Sequence, residues 1–325
     1  MKKEIISLLN NKANLSAEAK KALIDTVSYL DSGIPLIEKR KNVVARYNFD
    51  WDDNVMFMKT NIWFFHKNED KALENGLPLE IPVSTETFRH IRKKVGKEDA
   101  FVFYNVEGDI KEVLESTKNA VKVNLKDYCM LDPNKDKSLK CGRDSFREFG
   151  VGSNENYFVK DLKYSLENKL FGPCWEDFVN CLSCGEHAKK MTIITARGHS
   201  PEEMFEGLKL LKKMKLIKHL PNVENIYPVS YRGPGSEFVA SADSTSDAKK
   251  KVLEKIINHA HEEALKCPQE APREVGFSDD DHGTIEDIKQ HLEPLFDSQR
   301  WPKVHCVLYF TGNKEKEEII LNKVA

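Results

Sequence analysis

The sequence contains the stretch Tyr47-Asn48-Phe49-Asp50-Trp51-Asp52-Asp53-Asn54. Residues 42–49 have the composition of a short buried strand, and Asp50 follows at the point where that strand is expected to end. In an open sheet of alternating strands and helices, ligands bind beyond the carboxyl ends of the strands. The carboxylates of Asp50 and Asp52 are therefore the first candidates for functional groups.

The part of the chain after residue 144 alternates between predicted helices and predicted strands. Pro201 near a helix start, with Glu202 and Glu203 behind it, is typical of a first helical turn. Helices are expected at 173–184, 201–214, 247–264 and 285–295, and strands at 191–195, 225–229, 274–278 and 303–310. This alternation predicts an α/β fold with a parallel sheet and helices on both of its faces.

Two further predicted strands end in polar residues that would face the same edge of the sheet. These residues are Thr195, Arg197 and His199 after one strand, and Asp279, Asp280 and Asp281 after the other. Two groups of carboxylates at one cleft repel each other unless a cation lies between them. Oxygen ligands suit Mg²⁺, which proteins often share with a substrate phosphate. The strand ends therefore predict a Mg²⁺ site.

Four segments resemble, in the same order, the motifs of the haloacid dehalogenase-like hydrolases, and of the phosphatases among them. Asp50-Trp51-Asp52-Asp53-Asn54 resembles the DxDx(T/V) first motif, and Thr195 resembles the second. Gly276-Phe277-Ser278-Asp279-Asp280-Asp281 resembles the acidic fourth motif. The third motif requires a Lys or Arg, for which Lys249, Lys250 and Lys251 are candidates and Lys249 is favoured. The resemblance covers residues 42 to about 310.

The resemblance implies a Rossmann-like core at 39–60 and 145–325, with a mixed α/β cap inserted after the first core strand at 61–144. Residues 1–38 have a helical pattern of their own. A cap over an active site excludes water and selects substrates. Candidate substrate contacts in the insertion are Ser84, Thr85 and Arg89.

The resemblance also implies a Mg²⁺-dependent phosphomonoesterase that forms an aspartyl-phosphate. Asp50 would be the nucleophile, and Asp52 would protonate the leaving oxygen and then deprotonate the attacking water. Thr195 and Lys249 would bind the phosphoryl oxygens. The implied metal ligands are the Asp50 carboxylate, the backbone carbonyl of Asp52, Asp279 and, as a second choice in the last motif, Asp280. Further candidates for substrate contacts are Trp51, Arg197 and His199.

Several of these residues have alternative interpretations. His199 could instead help to start the following helix, and Arg197 could be solvated. The Trp51 ring is expected to pack at the wall of the cleft. Asn54 stands where the family has Thr or Val, and is expected to support the turn. Asp52 favours a phosphatase over a dehalogenase, because release of a halide needs no proton donor.

Composition limits the other classes of function. The chain has 325 residues and a formal net charge of -2, which gives no strong signal for nucleic-acid binding. No apolar run reaches the roughly 20 residues of a membrane-spanning helix, and no signal peptide is evident, so a cytoplasmic location is expected. The expected partner is a phosphorylated small molecule. The alternatives are a phosphatase acting on nucleic-acid ends or a phosphoprotein, and a non-catalytic binding protein.

The sequence also contains one CxxC pair, Cys181 and Cys184, among seven cysteines. A structural zinc site needs four ligands, and the chain has no second CxxC. We interpret the pair as the packed end of a helix, with Gly185 as its C-cap.

Overall fold

The computed structural model describes residues 45–105, 110–111, 120–131, 144–150, 156–236, 241–266, 273–312 and 316–321. The helical segment predicted at 1–38 lies outside these residues. The first part of the described chain consists of β1 (Ala45–Phe49), β2 (Asn61–His66), α1 (Glu69–Glu74), β3 (Glu80–Ser84), α2 (Thr85–Ile91), β4 (Phe101–Asn105), β5 (Ile110–Lys111), β6 (Ala120–Asn124) and β7 (Tyr128–Cys129).

The second part consists mainly of helices and strands in alternation. Its elements are α3 (Tyr157–Glu167), α4 (Trp175–Cys181), α5 (Gly185–Lys190), β8 (Thr192–Thr195), α6 (Pro201–Lys213), β9 (Ile226–Pro228), α7 (Thr245–Lys266), β10 (Arg273–Asp279), α8 (His282–Asp297), β11 (Val304–Phe310) and β12 (Glu317–Ile320).

A six-stranded sheet with the order β12-β11-β10-β1-β8-β9 forms the centre of the fold. Its strands pair in parallel, except that β12 runs antiparallel to β11 at one edge. The predicted α/β class with a mostly parallel sheet is therefore confirmed. Strands β8 and β9 lie on one side of β1, and β10, which follows them in the chain, pairs with β1 on its other side. In open α/β sheets such a reversal usually marks a ligand-binding crevice beyond the carboxyl ends of the two flanking strands, which are β1 and β10 here.

Helices cover both faces of this sheet. Successive side chains of a strand point to opposite faces, and in β8 the buried side chains of Ile193 and Ile194 belong to different hydrophobic clusters. Ile193 packs in the cluster that contains residues of α3, α4 and α6. Ile194 packs in the cluster that contains residues of α7 and α8.

The segment between β1 and α3 forms a separate layer of mixed structure. It contains two three-stranded antiparallel sheets, β3-β2-β7 and β5-β4-β6, with the helices α1 and α2. Its hydrophobic core includes Phe64, Ile81 and Val123, and it also includes Phe149. Residues 144–150 therefore pack with this insertion.

Two local predictions can be compared directly with the structure. The predicted start of α6 is confirmed: Pro201 is the first helical residue, and Ser200 and Glu203 form a reciprocal capping box. The prediction that Gly185 is the C-cap of α4 is wrong. The helix already ends at Cys181 with Leu182 as its C-cap, and Gly185 is the first residue of α5. A glycine C-cap acts through a positive φ, which Gly185 does not have.

None of the helices in the described part of the chain is both long enough and apolar enough to cross a membrane. The cytoplasmic location stays a prediction.

Candidate active site

The loop after β1 is a tight turn that begins inside the sheet. The amide of Asp50 still donates to the carbonyl of Ser278 on β10, at 2.9 Å. The amides of Val55 and Met56 both donate to the carbonyl of Trp51, at 2.9 and 3.1 Å, which makes a wide, π-type turn. Asp53 has a φ of 58° in the middle of this turn. The turn lets Asp50 and Asp52 project from the end of the strand.

Asn54 connects this loop to two other strands. Its amide nitrogen donates to the carbonyl of Asp50 at 3.0 Å and to the hydroxyl of Ser278 at 2.9 Å. Its amide oxygen accepts from the hydroxyl of Thr311, directly after β11, at 2.8 Å. Valine could form none of these bonds, and the single hydroxyl of threonine could not form all three. Asn54 therefore supports the turn, as expected.

Gly172 holds the same loop from the side of α4. Its amide donates to the carbonyl of Val55 at 3.0 Å. A Cβ at this position would lie 2.4 Å from the carbonyl oxygen of Asn54. Any larger residue would push the two backbone segments apart, so the loop after Asp50 depends on a glycine here.

Three carboxylates meet at the crevice between β1 and β10. Asp50, Asp279 and Asp280 are all buried. Each can offer one carboxylate oxygen, and these oxygens lie within 4.8 Å of one another. Asp279 is the last residue of β10, and its Oδ1 accepts a hydrogen bond from the amide of Asp281 at 2.9 Å.

Lys249 on α7 is a cation that faces two of these carboxylates. Its Nζ lies 3.1 Å from Oδ1 of Asp50 and 2.7 Å from Oδ2 of Asp279, and the side chain is buried. Lys250 and Lys251 instead pair with Asp247 at the surface of the same helix. Of the three candidate lysines, Lys249 is therefore the one that the fold brings to the strand ends.

The electrostatics of this cluster favour a further cation. Burial raises the pKa of Asp50 well above its usual range, Lys249 lowers it, and Asp279 raises it again. Burial would lower the pKa of Lys249, but Asp279 and Asp50 raise it above its usual value, so the ammonium stays charged. The single ammonium of Lys249 lies between two buried carboxylates, those of Asp50 and Asp279. A divalent cation would lower the cost of keeping them ionised.

Asp52 does not join this cluster through its side chain. Arg197 binds its carboxylate with two hydrogen bonds, from Nε at 2.9 Å and from Nη2 at 2.6 Å. Such a bidentate pair fixes both the distance and the orientation of the carboxylate. The hydroxyl of Thr195 lies 3.5 Å from the same carboxylate. Thr195 and Arg197 thus share one side of the crevice with Asp52.

The alternative that Arg197 is solvated is wrong. The residue is fully buried. Its guanidinium carbon lies 5.2 Å from the ring centre of Phe149 and 5.3 Å from that of Phe158. The two aromatic rings keep water from the guanidinium, which strengthens its interaction with Asp52.

Two other predicted contact residues are buried beside this pair. The Trp51 ring has no exposed surface and packs against Phe158 and Phe178 in the core rather than at an open wall of the crevice. The His199 ring lies 6.0 Å from the ring of Phe158 and is also buried. Burial, and secondarily the charge of Arg197, lowers the pKa of His199 to about 3.

This pKa gives a prediction for the dependence of stability on pH. The unfolded chain binds a proton at His199 with a pKa of about 6.5, whereas the folded pKa is lower, so protonation favours unfolding. The contribution of His199 is fully present above pH 6.5 and is lost as the pH falls towards 3. We expect protonation of His199 in the unfolded chain to lower the free energy of unfolding by about 2 kcal/mol between pH 7 and pH 5. Urea unfolding of the wild type and of His199→Gln at both pH values measures this, and equal losses in the two proteins would contradict it.

Two of the candidate substrate contacts in the insertion, Ser84 and Thr85, form the start of a helix. The hydroxyl of Ser84 accepts from the amide of Thr87 and caps α2, and Thr85 is the first residue of that helix. The side chain of Arg89 lies outside the described residues. Arg92, at the end of α2, reaches Asp281 at 3.4 Å and connects the insertion to the rim of the crevice.

The sequence analysis missed two residues behind the Asp52–Arg197 pair. Thr60 and Asp161 are buried and form hydrogen bonds that lead to Arg197. Thr60 stands between Lys59 and Asn61 just before β2, where a further polar residue gives no signal, and Asp161 lies in α3, which was not predicted. A polar residue on the apolar face of a helical pattern was the available signal for Asp161.

No family model, no curated protein and no solved structure matches this chain. The geometry of the crevice is therefore the basis for a functional assignment.

Proposed function

We propose that this chain is a Mg²⁺-dependent phosphohydrolase of the haloacid dehalogenase type. Its sheet would be the Rossmann-like core of that family, and the insertion at 61–144 would be its cap. The reaction would be hydrolysis of a phosphate monoester, with a small phosphorylated molecule as substrate. The observation that supports this most is the set of three buried carboxylates, two of which pair with a buried lysine, at the strand ends where the strand order reverses.

The three carboxylates fit Mg²⁺ by their chemistry. All the donor atoms are hard oxygens, which suit Mg²⁺. A zinc site usually includes histidine or cysteine, and this group contains neither. Asp50, Asp279 and Asp280 would hold the ion, with the backbone carbonyl of Asp52 as a further ligand. When bound, the ion would offset the repulsion between the anionic nucleophile and the anionic phosphate.

Asp50 would be the nucleophile. Its backbone is fixed by the bond to Ser278, and it directly follows the carboxyl end of the central strand β1. In the first step its oxygen would form a bond to phosphorus as the bond from phosphorus to the leaving oxygen breaks. In the second step water would release phosphate from the aspartyl-phosphate and restore the carboxylate.

Asp52, Thr195 and Lys249 would assist both steps. Asp52 would give a proton to the leaving oxygen and take one from the attacking water. Each of its two oxygens accepts one hydrogen bond from Arg197, and the remaining lone pair of either oxygen can take the proton while that pair stays intact. The hydroxyl of Thr195 and the ammonium of Lys249 would donate to the phosphoryl oxygens as their charge increases.

Loss of the metal gives the direct test. We expect hydrolysis of p-nitrophenyl phosphate with Mg²⁺ and no hydrolysis with excess EDTA. We also expect Mg²⁺ at about 100 times its Kd to stabilise the fold by about 2.7 kcal/mol, measured as a rise in the thermal unfolding midpoint. The Asp280→Asn variant should lose most of this rise.

Asp247→Asn is the matched control, since Asp247 lies on α7 but outside the three-carboxylate cluster. This variant should keep both the activity and the metal-dependent rise. Full activity in EDTA, or an equal rise in the Asp280→Asn protein, would contradict the proposed function.

A further inference from the structure

A chain of buried hydrogen bonds leads from α3 to Asp52. The hydroxyl of Thr60 donates to Oδ2 of Asp161 at 2.6 Å, and the same hydroxyl accepts from Nη2 of Arg197 at 2.7 Å. Arg197 then donates to both oxygens of Asp52. Thr60, Asp161 and Arg197 are all buried.

The direction of each bond in this chain is determined by the groups themselves. A guanidinium can only donate, and an ionised carboxylate can only accept. The single proton of the Thr60 hydroxyl therefore goes to Asp161, and its lone pairs face Arg197. The pKa of Asp161 is raised above its usual value, because burial outweighs the hydrogen bond from Thr60 and the charge of Arg197, which both lower it.

Arg197 has few other polar contacts that could fix it. Among the described residues, its Nη1 is buried and makes no hydrogen bond. The rings of Phe149 and Phe158 lie beside the guanidinium, but they accept none of the hydrogen bonds that it donates in its own plane. Thr60 is thus the group opposite Asp52 that sets where Nη2 lies.

We propose that Thr60 and Asp161 are positioning residues that hold Arg197 and, through it, orient the carboxylate of Asp52. This inference rests on the proposed function, in which Asp52 transfers the proton. Thr60 and Asp161 would touch neither the substrate nor the metal. They would act on the proton-transfer steps, and hence on kcat, because small misplacements of a proton donor are costly.

Removal of the Thr60 hydroxyl tests this directly. Thr60→Val keeps the shape of the side chain and is expected to lower kcat for p-nitrophenyl phosphate by about 10- to 100-fold, with KM changed less than about threefold. Thr60→Ser restores the hydroxyl and should keep kcat within about threefold of the wild type. Equal kcat values for Thr60→Val and the wild type would overturn the proposal.

A double-mutant cycle separates positioning from a general structural role. If Thr60 acts through Asp52, Thr60→Val should cause no further loss of kcat in the Asp52→Asn protein. If the decrease in kcat of the double variant equals the product of the decreases in the two single variants, the proposal is overturned. If Thr60→Val does not fold, Asp161→Asn takes its place in the same cycle, with a smaller loss expected because the amide oxygen can still accept from Thr60.

Crystal structures distinguish this inference from the proposed function. If the wild-type protein hydrolyses no phosphate ester, the proposed function is refuted, but the inference about Thr60 and Asp161 is not. In that case the structure of Thr60→Val should still show Arg197 displaced by about 1 Å or more and its two bonds to Asp52 changed. An unchanged Arg197–Asp52 pair would overturn the inference even if the enzyme is active.

Discussion

Replacing Asp50 with Asn is expected to lower phosphate-ester turnover by at least about 10⁴-fold, because an amide cannot form the phosphorus–oxygen bond. The substitution preserves side-chain volume in a buried site. Lys249 keeps its ion pair with Asp279, so the fold should remain. The measurement is single-turnover hydrolysis with Mg²⁺, together with circular dichroism and thermal unfolding of the same protein.

Asp53→Asn is the matched control for this prediction. Asp53 lies in the same turn but outside the three-carboxylate cluster. Its φ of 58° is one that Asn adopts readily. This variant should keep turnover within a few-fold of the wild type. If Asp50→Asn kept near-normal turnover while folded, Asp50 would not be the nucleophile.

Replacing Lys249 with Met is expected to destabilise the metal-free protein by about 3–5 kcal/mol. The ammonium lies between Asp50 and Asp279, and all three groups are buried. Removing it leaves two buried carboxylates facing each other without a cation, whereas Met fills a similar volume. Mg²⁺ should restore part of the lost stability, since it would bind the same carboxylates. Urea unfolding with EDTA and with Mg²⁺ measures both effects.

Lys250→Met provides the comparison on the next residue of α7. Lys250 pairs with Asp247 at the surface, at 3.6 Å, and such pairs contribute about 1 kcal/mol or less. Turnover should fall by about 10²- to 10³-fold in Lys249→Met, and little in Lys250→Met. Equal stability of the two variants in EDTA would show that Lys249 does not compensate the buried carboxylates.

Local patterns were sufficient to predict much of the sheet. Strands β10 and β11 each lie within one residue of their predicted bounds, because each has a short apolar stretch (Val275–Phe277 in β10 and Cys306–Phe310 in β11) that polar residues follow. The start of α6 was predictable from Ser200 and Pro201, whose effects act within one helical turn. Asp50, Asp279 and Asp280 could be grouped because parallel strands bring their carboxyl ends to one edge.

The choice of Lys249 over its neighbours could have been made from the helical phase of α7. Lys249 precedes Val252, Leu253 and Ile256 by three, four and seven positions, and all of these are buried. Residues at such spacing share one face of a helix. The phase of the apolar stripe therefore points Lys249 toward the sheet.

Tertiary contacts determine the features that the sequence did not reveal. The pairing of Arg197 with Asp52, and the bonds from Thr60 and Asp161 behind it, join segments far apart in the chain. No local pattern specifies such partners. The end of α4 was mispredicted because Gly185 was treated as a C-cap without knowledge of its φ, which is not positive.

The place of β1 in the sheet has a consequence for synthesis of the protein. β1 pairs with β10, and the bond from Asn48 to Gly276 joins residues 228 positions apart. The bond from Thr311 to Asn54 spans 257 positions. A ribosome adds about 5–20 residues per second, so the central strand waits on the order of ten seconds or more for one of its neighbours. During that time one edge of β1 lacks its native partner and is exposed to other chains, which makes chaperone binding to the nascent chain most valuable before β10 emerges.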